Sequence, residues 1–373
     1  MNILRLLAWP FSLLYGLIMR LRNKMFDTGI IPSVEFHNIT LIGIGNLSAG
    51  GTGKTPHVEY LVRLLHSRYK VATLSRGYGR KSSGFILADE NAATTEIGDE
   101  PKQFRHRFPI DVPVAVDANR VQGVKKLLEK FPALQVILLD DVFQHRRIKP
   151  GLQILLTDYA RLYYEDHLLP TGYLREPRSG ASRADIIIVT KTPQIFSPLE
   201  RKRIIKEINP QPYQKLYFST IIYKDFVPIG NKPEKRRLSK EYYFERNYTV
   251  VLLTGIANSQ SLEYYLKDKV ELIPYRFRDH HEFTPANLLR LRELFRAIKT
   301  ENKIVLTTEK DAMRLEKPGL SEYLGDLPVF YIPIEVRFHE QDANLFNQHI
   351  LDYVRSNPVH GNTHQGKDKQ FST

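Results

Sequence analysis

Residues 41–56 read LIGIGNLSAGGTGKTP, and the fold follows from this stretch. An apolar run over 39–44 leads into a glycine-rich turn, then into Gly53-Lys54-Thr55. Val58, Leu61, Val62, Leu64 and Leu65 follow at helical spacing. The order strand, glycine-rich loop, helix is that of a P-loop. Glycines let backbone N–H groups turn toward an anion, and the helix N-terminus adds the positive end of its dipole. The candidate nucleotide-binding residues are Ser48, Ala49, Gly50, Gly51, Thr52, Gly53, Lys54 and Thr55. Lys54 would reach the β- and γ-phosphates, and the Thr55 hydroxyl would ligate Mg²⁺. Ser48 stands where the strict GxxxxGK[ST] pattern has its first glycine, while the remaining spacing is intact. The alternative is a glycine-rich turn that binds no nucleotide; GK[ST] at a strand–helix junction argues against it.

Working outward, 373 residues are enough for two α/β domains with their own cores. Cysteine is absent, which excludes disulfides and thiolate chemistry. The net charge of +13 favours an anionic partner: nucleic acid, a membrane surface or a phosphorylated substrate. The basic residues are dispersed and no DNA- or RNA-binding motif is present, so no nucleic acid is expected.

Upstream, residues 6–19 carry no charge and are flanked by Arg5 and by Arg20, Arg22 and Lys24. Such a run is shorter than the ~20 residues a spanning helix needs. No small-x-small cleavage site follows, which argues against a signal peptide. Ile3, Leu6, Leu7, Leu14, Leu17, Ile18 and Leu21 fit a buried amphipathic helix as well as one lying on a membrane. Trp9, Phe11 and the basic flank favour a helix over 1–26 on an anionic membrane surface.

Downstream, a strand over 71–74 ends in SRGYGR at 75–80, a position where α/β sheets bind ligands. GDEP at 98–101 opens a helical stretch; its acids serve either as caps or as carboxylates aimed into a cleft. Residues 136–141 read VILLDD, four apolar residues ending in aspartate, the form of a strand that delivers a carboxylate to Mg²⁺. Either Asp140 or Asp141 is the candidate ligand. With further strands over 154–158 and 186–190, residues 27–210 read as a doubly wound parallel sheet. Residues 211–248 read as a linker, 249–356 as a second, smaller α/β domain ending in a strand over 329–332 and a helix, and 357–373 as a disordered tail. Inside the second domain, FRDHHEF at 277–283 fits a metal site, an acid–base pair or an exposed polar loop.

Together, GNLSAGGTGKTP, SRGYGR, GDEP, DDxFQHR, LREP, FxDHH and TTEKDA resemble, in this order, the tetraacyldisaccharide 4'-kinases of Gram-negative bacteria. The resemblance covers nearly the whole chain. Ser48 agrees with that family, whereas Val142 departs from its usual DDGFQ. The resemblance implies ATP and Mg²⁺ as cofactors and transfer of the γ-phosphate to the 4'-hydroxyl of an acylated glucosamine disaccharide 1-phosphate, giving lipid IVA. It implies Asp99 as general base with His280 as its partner, Lys54, Arg120 and Arg175 on phosphates, and Thr55, Asp140, Asp141 and Glu176 around the metal. It also implies a peripheral protein on the cytoplasmic face of the inner membrane. Glu309, Lys310 and Asp311 match the family without a derivable role. The competing reading is a P-loop NTPase switch with water as its nucleophile.

Overall fold

The protein is described by a computed structural model over residues 8–90, 92–108, 110–230, 238–256, 258–279, 281–317 and 319–357. Helix α1 (Trp9–Asp27) carries Pro10 in its first turn, where the missing N–H costs nothing. Strand β1 (Thr40–Asn46), buried throughout, feeds α2 (Lys54–Leu65). Next come β2 (Val71–Ser75), β3 (Ile86–Leu87), α3 (Asp99–Arg107), β4 (Val114–Val116), α4 (Arg120–Lys130), β5 (Val136–Asp140) and β6 (Leu152–Asp158). After β7 (Ile186–Thr190), α5 (Pro198–Ile208) and β8 (Lys215–Tyr223), the chain leaves for a second sheet. That unit holds β9 (Val227–Pro228), β10 (Thr249–Thr254), α6 (Gln260–Leu266), β11 (Glu271–Arg276), α7 (Pro285–Ala297), β12 (Lys303–Thr308), α8 (Glu309–Leu315) and β13 (Val329–Ile332). Strand β14 (Ile334–Phe338) and α9 (Glu340–Ser356) close the described chain.

The main sheet has nine strands in the order β14-β8-β7-β6-β1-β5-β2-β4-β3. Its interior pairs are parallel, and β14 and β3 add antiparallel edges. Continuous apolar runs suit such strands, because helices cover both faces. Ile44 pairs with Asp140, so the tips of β1 and β5 end side by side. Ligands bind at the carboxyl edge of an open parallel sheet. The second sheet has five strands in the order β11-β10-β12-β13-β9, antiparallel only between β13 and β9.

The domain bounds expected from the sequence need correction. Strand β8 lies within the expected 211–248 linker yet pairs with β7 in the main sheet. The expected second domain takes in residues 334–356, but β14 pairs with β8, and Phe346, Ile350 and Val354 of α9 pack into the main core with Val336 and Phe338. The chain therefore crosses between units twice, near Asp225 and at Pro333. Strand β14 is hard to read because Glu335 and Arg337 alternate with apolar residues, as on a half-buried edge, and only Pro333 separates it from β13.

Val142, the departure from the family pattern, is buried and is accommodated by Gly43 opposite, where a Cβ would stand 2.8 Å from its Cγ1. The unusual backbone lies one residue earlier, at Asp141 with φ 48°.

Helix α1 buries Ser12, Gly16 and Phe26, while Trp9, Phe11, Leu13, Leu14, Leu17, Ile18 and Leu21 are 48–67% exposed. A Cβ on Gly16 would come within 2.7 Å of Leu168, so glycine lets the helix seat on the 166–176 loop. No described helix is long and apolar enough to cross a membrane. Residues 1–7, the basic run 235–237 and the expected tail from 358 onward lie outside the described residues.

Candidate active site

The loop between β1 and α2 is shaped by two glycines with positive φ, Gly50 at 113° and Gly53 at 88°. Gly53 caps α2 in the left-handed region that favours glycine. A Cβ on Gly50 or Gly51 would meet nothing within 4 Å, so this backbone faces open space. The loop is held from both flanks. Ser48 bridges to Leu174, and the Ala49 N–H donates to the Tyr173 carbonyl at 2.7 Å. On the other side the Thr190 hydroxyl donates to the Thr52 carbonyl at 2.9 Å, and Lys191 reaches the Gly51 carbonyl. Beneath it, His57 bonds the Gly53 carbonyl through Nδ1 at 2.7 Å and Ser219 through Nε2 at 3.0 Å. A carbonyl only accepts, so Nδ1 carries the proton. Burial pushes the imidazole down to about 4, so His57 is a neutral support of the loop.

Lys54 and Arg175 converge on Asp141. Lys54 Nζ lies 3.6 Å from Asp141 Oδ1, and Arg175 donates to both carboxylate oxygens, at 3.0 and 3.3 Å. Arg175 also holds Asn46, whose amide donates to Thr52 Oγ1 at 2.8 Å. Thr55 is buried in the first turn of α2. The two aspartates differ sharply. Burial first, then the neighbouring Asp141 charge, pushes Asp140 up to about 7. Burial would raise Asp141 as well, but Lys54 and then Arg175 outweigh it and hold the group at about 2. The two cations thus favour the charge on Asp141, and burial favours the proton on Asp140.

Two expected site residues have partners within the protein. Glu176, read as a metal neighbour, is buried and accepts from Asn23, Gln144 and twice from Arg183 at 2.8–3.1 Å. Its carboxylate braces α1 and the 168–176 loop against the main sheet. Arg120, read as a phosphate binder, is also buried and donates to the carbonyls of Asp117 and Asp140 at 2.8 and 3.1 Å. It buttresses the tips of β4 and β5 from behind. Among the described residues no group of three or more His, Asp or Glu side chains is arranged to hold a metal.

Asp99 begins α3 after Gly98, whose φ is 93°. A Cβ there would stand 2.8 Å from the Tyr78 carbonyl, so glycine brings the 75–80 loop against the start of α3. Across the interdomain face, Arg314 of α8 binds Asp99 Oδ2. His280, the expected partner of Asp99, lies outside the described residues. His281 stacks on Phe277 at 4.3 Å and donates from Nε2 to Asn287 at 2.9 Å, which ties it to the start of α7.

Sequence reasoning missed Asn46, His57, Lys191, Asn23 and Arg314. Arg314 alone left a readable trace, at i+3 from Asp311 on one helical face. Tyr15, also missed, donates to the Arg175 carbonyl at 2.6 Å and joins α1 directly to the cleft.

A glycine-rich loop with a lysine, facing paired carboxylates at the carboxyl edge of a mostly parallel sheet, places the chain among α/β enzymes that handle phosphorylated ligands. Within that class the chain belongs to the tetraacyldisaccharide-1-P 4'-kinase family, whose model matches residues 4–355. A tetraacyldisaccharide 4'-kinase of Bacteroides thetaiotaomicron is 45% identical, over 94% of this chain and 93% of its own length. One from Flavobacterium johnsoniae is 44% identical, over 96% and 99%. The crystal structure of Aquifex aeolicus LpxK in complex with ATP matches with a TM-score of 0.70 at 28% identity, covering 94% of this chain and 99% of that one.

Proposed function

We propose that the chain transfers the γ-phosphate of ATP to the 4'-hydroxyl of a tetraacylated glucosamine disaccharide 1-phosphate, forming lipid IVA in lipid A synthesis. The observation that carries this reading is the meeting of Lys54 and Arg175 on Asp141 beside an open glycine backbone, with Asp99 opening α3 next to Glu100, whose charge acts on Asp140. Residues 48–55 act as the P-loop: their N–H groups take the phosphates, and Lys54 leaves Asp141 for the β- and γ-phosphates when ATP enters. Asp99 is the general base for the sugar hydroxyl. A carboxylate suffices, because in a loose transition state the hydroxyl proton leaves late. His280 partners Asp99 from the second domain, so domain closure is part of catalysis.

The donor set suits Mg²⁺, a hard cation that prefers oxygen ligands. Asp140 Oδ1 is buried without a hydrogen-bond partner, an oxygen that a cation would satisfy. Asp140, Asp141 and the Thr55 hydroxyl would hold the ion, which neutralises charge on the transferring phosphate. Glu176 supports the wall of the cleft.

The exposed face of α1 rests on an anionic membrane surface, where an acylated substrate resides. Because ATP is cytoplasmic, the chain sits on the cytoplasmic face of the inner membrane. Bonds from Tyr15 to the Arg175 carbonyl and from Asn23 to Glu176 support a role for this helix in bringing the substrate to the cleft.

The test is purified protein with Mg²⁺, radiolabelled ATP and the lipid disaccharide 1-phosphate in mixed micelles. A labelled lipid product that depends on the acceptor is expected. ATP turnover indifferent to lipid, with label only in inorganic phosphate, would instead identify a hydrolytic switch.

A further inference from the structure

The TTEKDA stretch has so far no part in the reaction. It forms the tip of β12 and the start of α8, and α8 lies along α3. Three ion pairs cross this face: Glu309 with Arg107, Lys310 Nζ with Glu100 at 2.6 Å, and Arg314 with Asp99. The third differs from the others in how it is anchored. Arg314 Nη1 donates to the Gly255 carbonyl and to Asp311 Oδ1, both at 2.9 Å. The other oxygen of Asp311 accepts from the Gly255 N–H at 3.0 Å and from the Thr308 hydroxyl at 2.8 Å. Asp311 is fully buried and Arg314 nearly so. Gly255 follows the last residue of β10, and a Cβ there would stand 3.1 Å from Asp311 Oδ1. One edge of the guanidinium is therefore fixed to a strand tip of the second sheet. Its other edge meets Asp99 Oδ2, with Nε at 3.1 Å.

We propose that Arg314 is the positioning residue of the Asp99 base: anchored by Asp311 and Gly255, it holds the carboxylate through Oδ2 and so sets the orientation in which Asp99 receives the hydroxyl proton. The base is then complete only when the two sheets are docked. As the 4'-oxygen bonds to the γ-phosphorus and the bond to the β-bridging oxygen breaks, the proton passes to Asp99 and ADP leaves with the electron pair. The proposal rests on the reading of Asp99 as the base. A planar guanidinium suits this task, because its fork fixes direction as well as charge and it stays charged at any working pH. Among the described residues, the charged groups around the pair include Asp311, Lys310 and Asp279 from the second unit and Glu100 on α3 itself.

The test uses the full chain in the lipid assay. Arg314→Gln is expected to lower kcat on the order of 100-fold, with the KM for ATP within about two-fold. Its acid limb of kcat should move to higher pH, since a carboxylate without its cation keeps its proton longer. Lys310→Gln cuts a neighbouring crossing pair, the bond from Lys310 to Glu100, so it should move that limb less than Arg314→Gln does and leave the KM-against-kcat split smaller. Should the Gln variant not fold, Arg314→Lys decides: it keeps the charge but not the fork, and about a ten-fold loss of kcat at unchanged KM is expected. Asp99→Asn separates the two readings. If Asp99→Asn stays active, the base assignment itself fails. If it is inactive while folded Arg314→Gln, or failing that Arg314→Lys, keeps native kcat and acid limb, the positioning proposal alone is overturned.

Discussion

The glycine-rich loop and the face between α3 and α8 both bring charge to one cleft, by opposite means. In the loop, Asn46, Thr52 and Lys54 are neighbours in sequence, and backbone geometry at Gly50 and Gly53 sets their positions. On the face, Arg314 meets a residue 215 positions away, and burial of paired charges sets the geometry. The loop is a local device that works wherever a strand feeds a helix. The face exists only when two sheets are packed together, so its charges report docking.

The largest effect should come from the loop. Lys54→Ala is expected to cut lipid phosphorylation on the order of 1000-fold, measured as kcat with calorimetric ATP binding alongside. Its melting temperature should stay close to native, since among the described residues the polar contacts of Lys54, to Asn46 and Asp141, are long, at 3.5 and 3.6 Å. Transfer within ten-fold of native would mean that the loop does not grip the transferred phosphate.

The face should respond in stability instead. Arg107 lies between the buried carboxylates of Glu59 and Glu309. Arg107→Ala strands both, and a loss of about 3–5 kcal/mol in denaturant unfolding is expected. The same triad gives a pH signature. Burial, opposed by Arg107, leaves Glu59 pushed up to about 7 from 4.5, and Glu309 moves the same way. A carboxyl whose folded pKa is raised contributes stability that is full below its unfolded value and lost as pH rises through the folded one. Unfolding free energy should therefore fall between about pH 4.5 and 7, and Glu59→Gln should flatten that slope. A slope unchanged in Glu59→Gln would assign the pH dependence to other groups.

A third comparison concerns carboxylates that look alike in sequence. Glu176→Gln should cost about 2–3 kcal/mol of stability by unpairing Arg183, while the Mg²⁺ concentration for half-maximal activity stays native. Asp141→Asn should raise that concentration. A raised Mg²⁺ requirement in Glu176→Gln would return Glu176 to the metal.

How much of this was legible follows from the same contrast. The loop, the aspartate-tipped β5 and the parallel strands were readable, because each is written in contiguous residues, as a glycine motif or an unbroken apolar run. The destination of β14 was not, since pairing with β8 rather than with the second sheet is decided by packing of Val336, Phe338 and Phe346. The expected roles of Glu176 and Arg120 rest on the family resemblance, and their structural partners, Arg183 and two backbone carbonyls, are ones that only folding supplies. His57 gave no signal, because a neutral histidine in a helix reads like any half-polar core residue. Arg314 was hidden by distance along the chain.

The smallest predicted effect tests whether the loop side is as local as it looks. Gly43 lies on β1, and a Cβ there would meet both Val142 Cγ1 and Pro150 Cγ at 2.8 Å. Val142 follows the aspartate pair, so its fit sets the backbone that carries Asp141 at positive φ. Gly43→Ala should cost about 1–2 kcal/mol by overpacking and should lower phosphoryl transfer modestly through displacement of Asp141. Val142→Gly removes one of the two colliding atoms and leaves the Pro150 contact. The double variant should thus recover part of the stability lost by Gly43→Ala, with a coupling of about 0.5 kcal/mol or more. Strict additivity of the two changes would show that β1 and the carboxylate turn are not packed against each other in the way that places Asp141 beside Lys54.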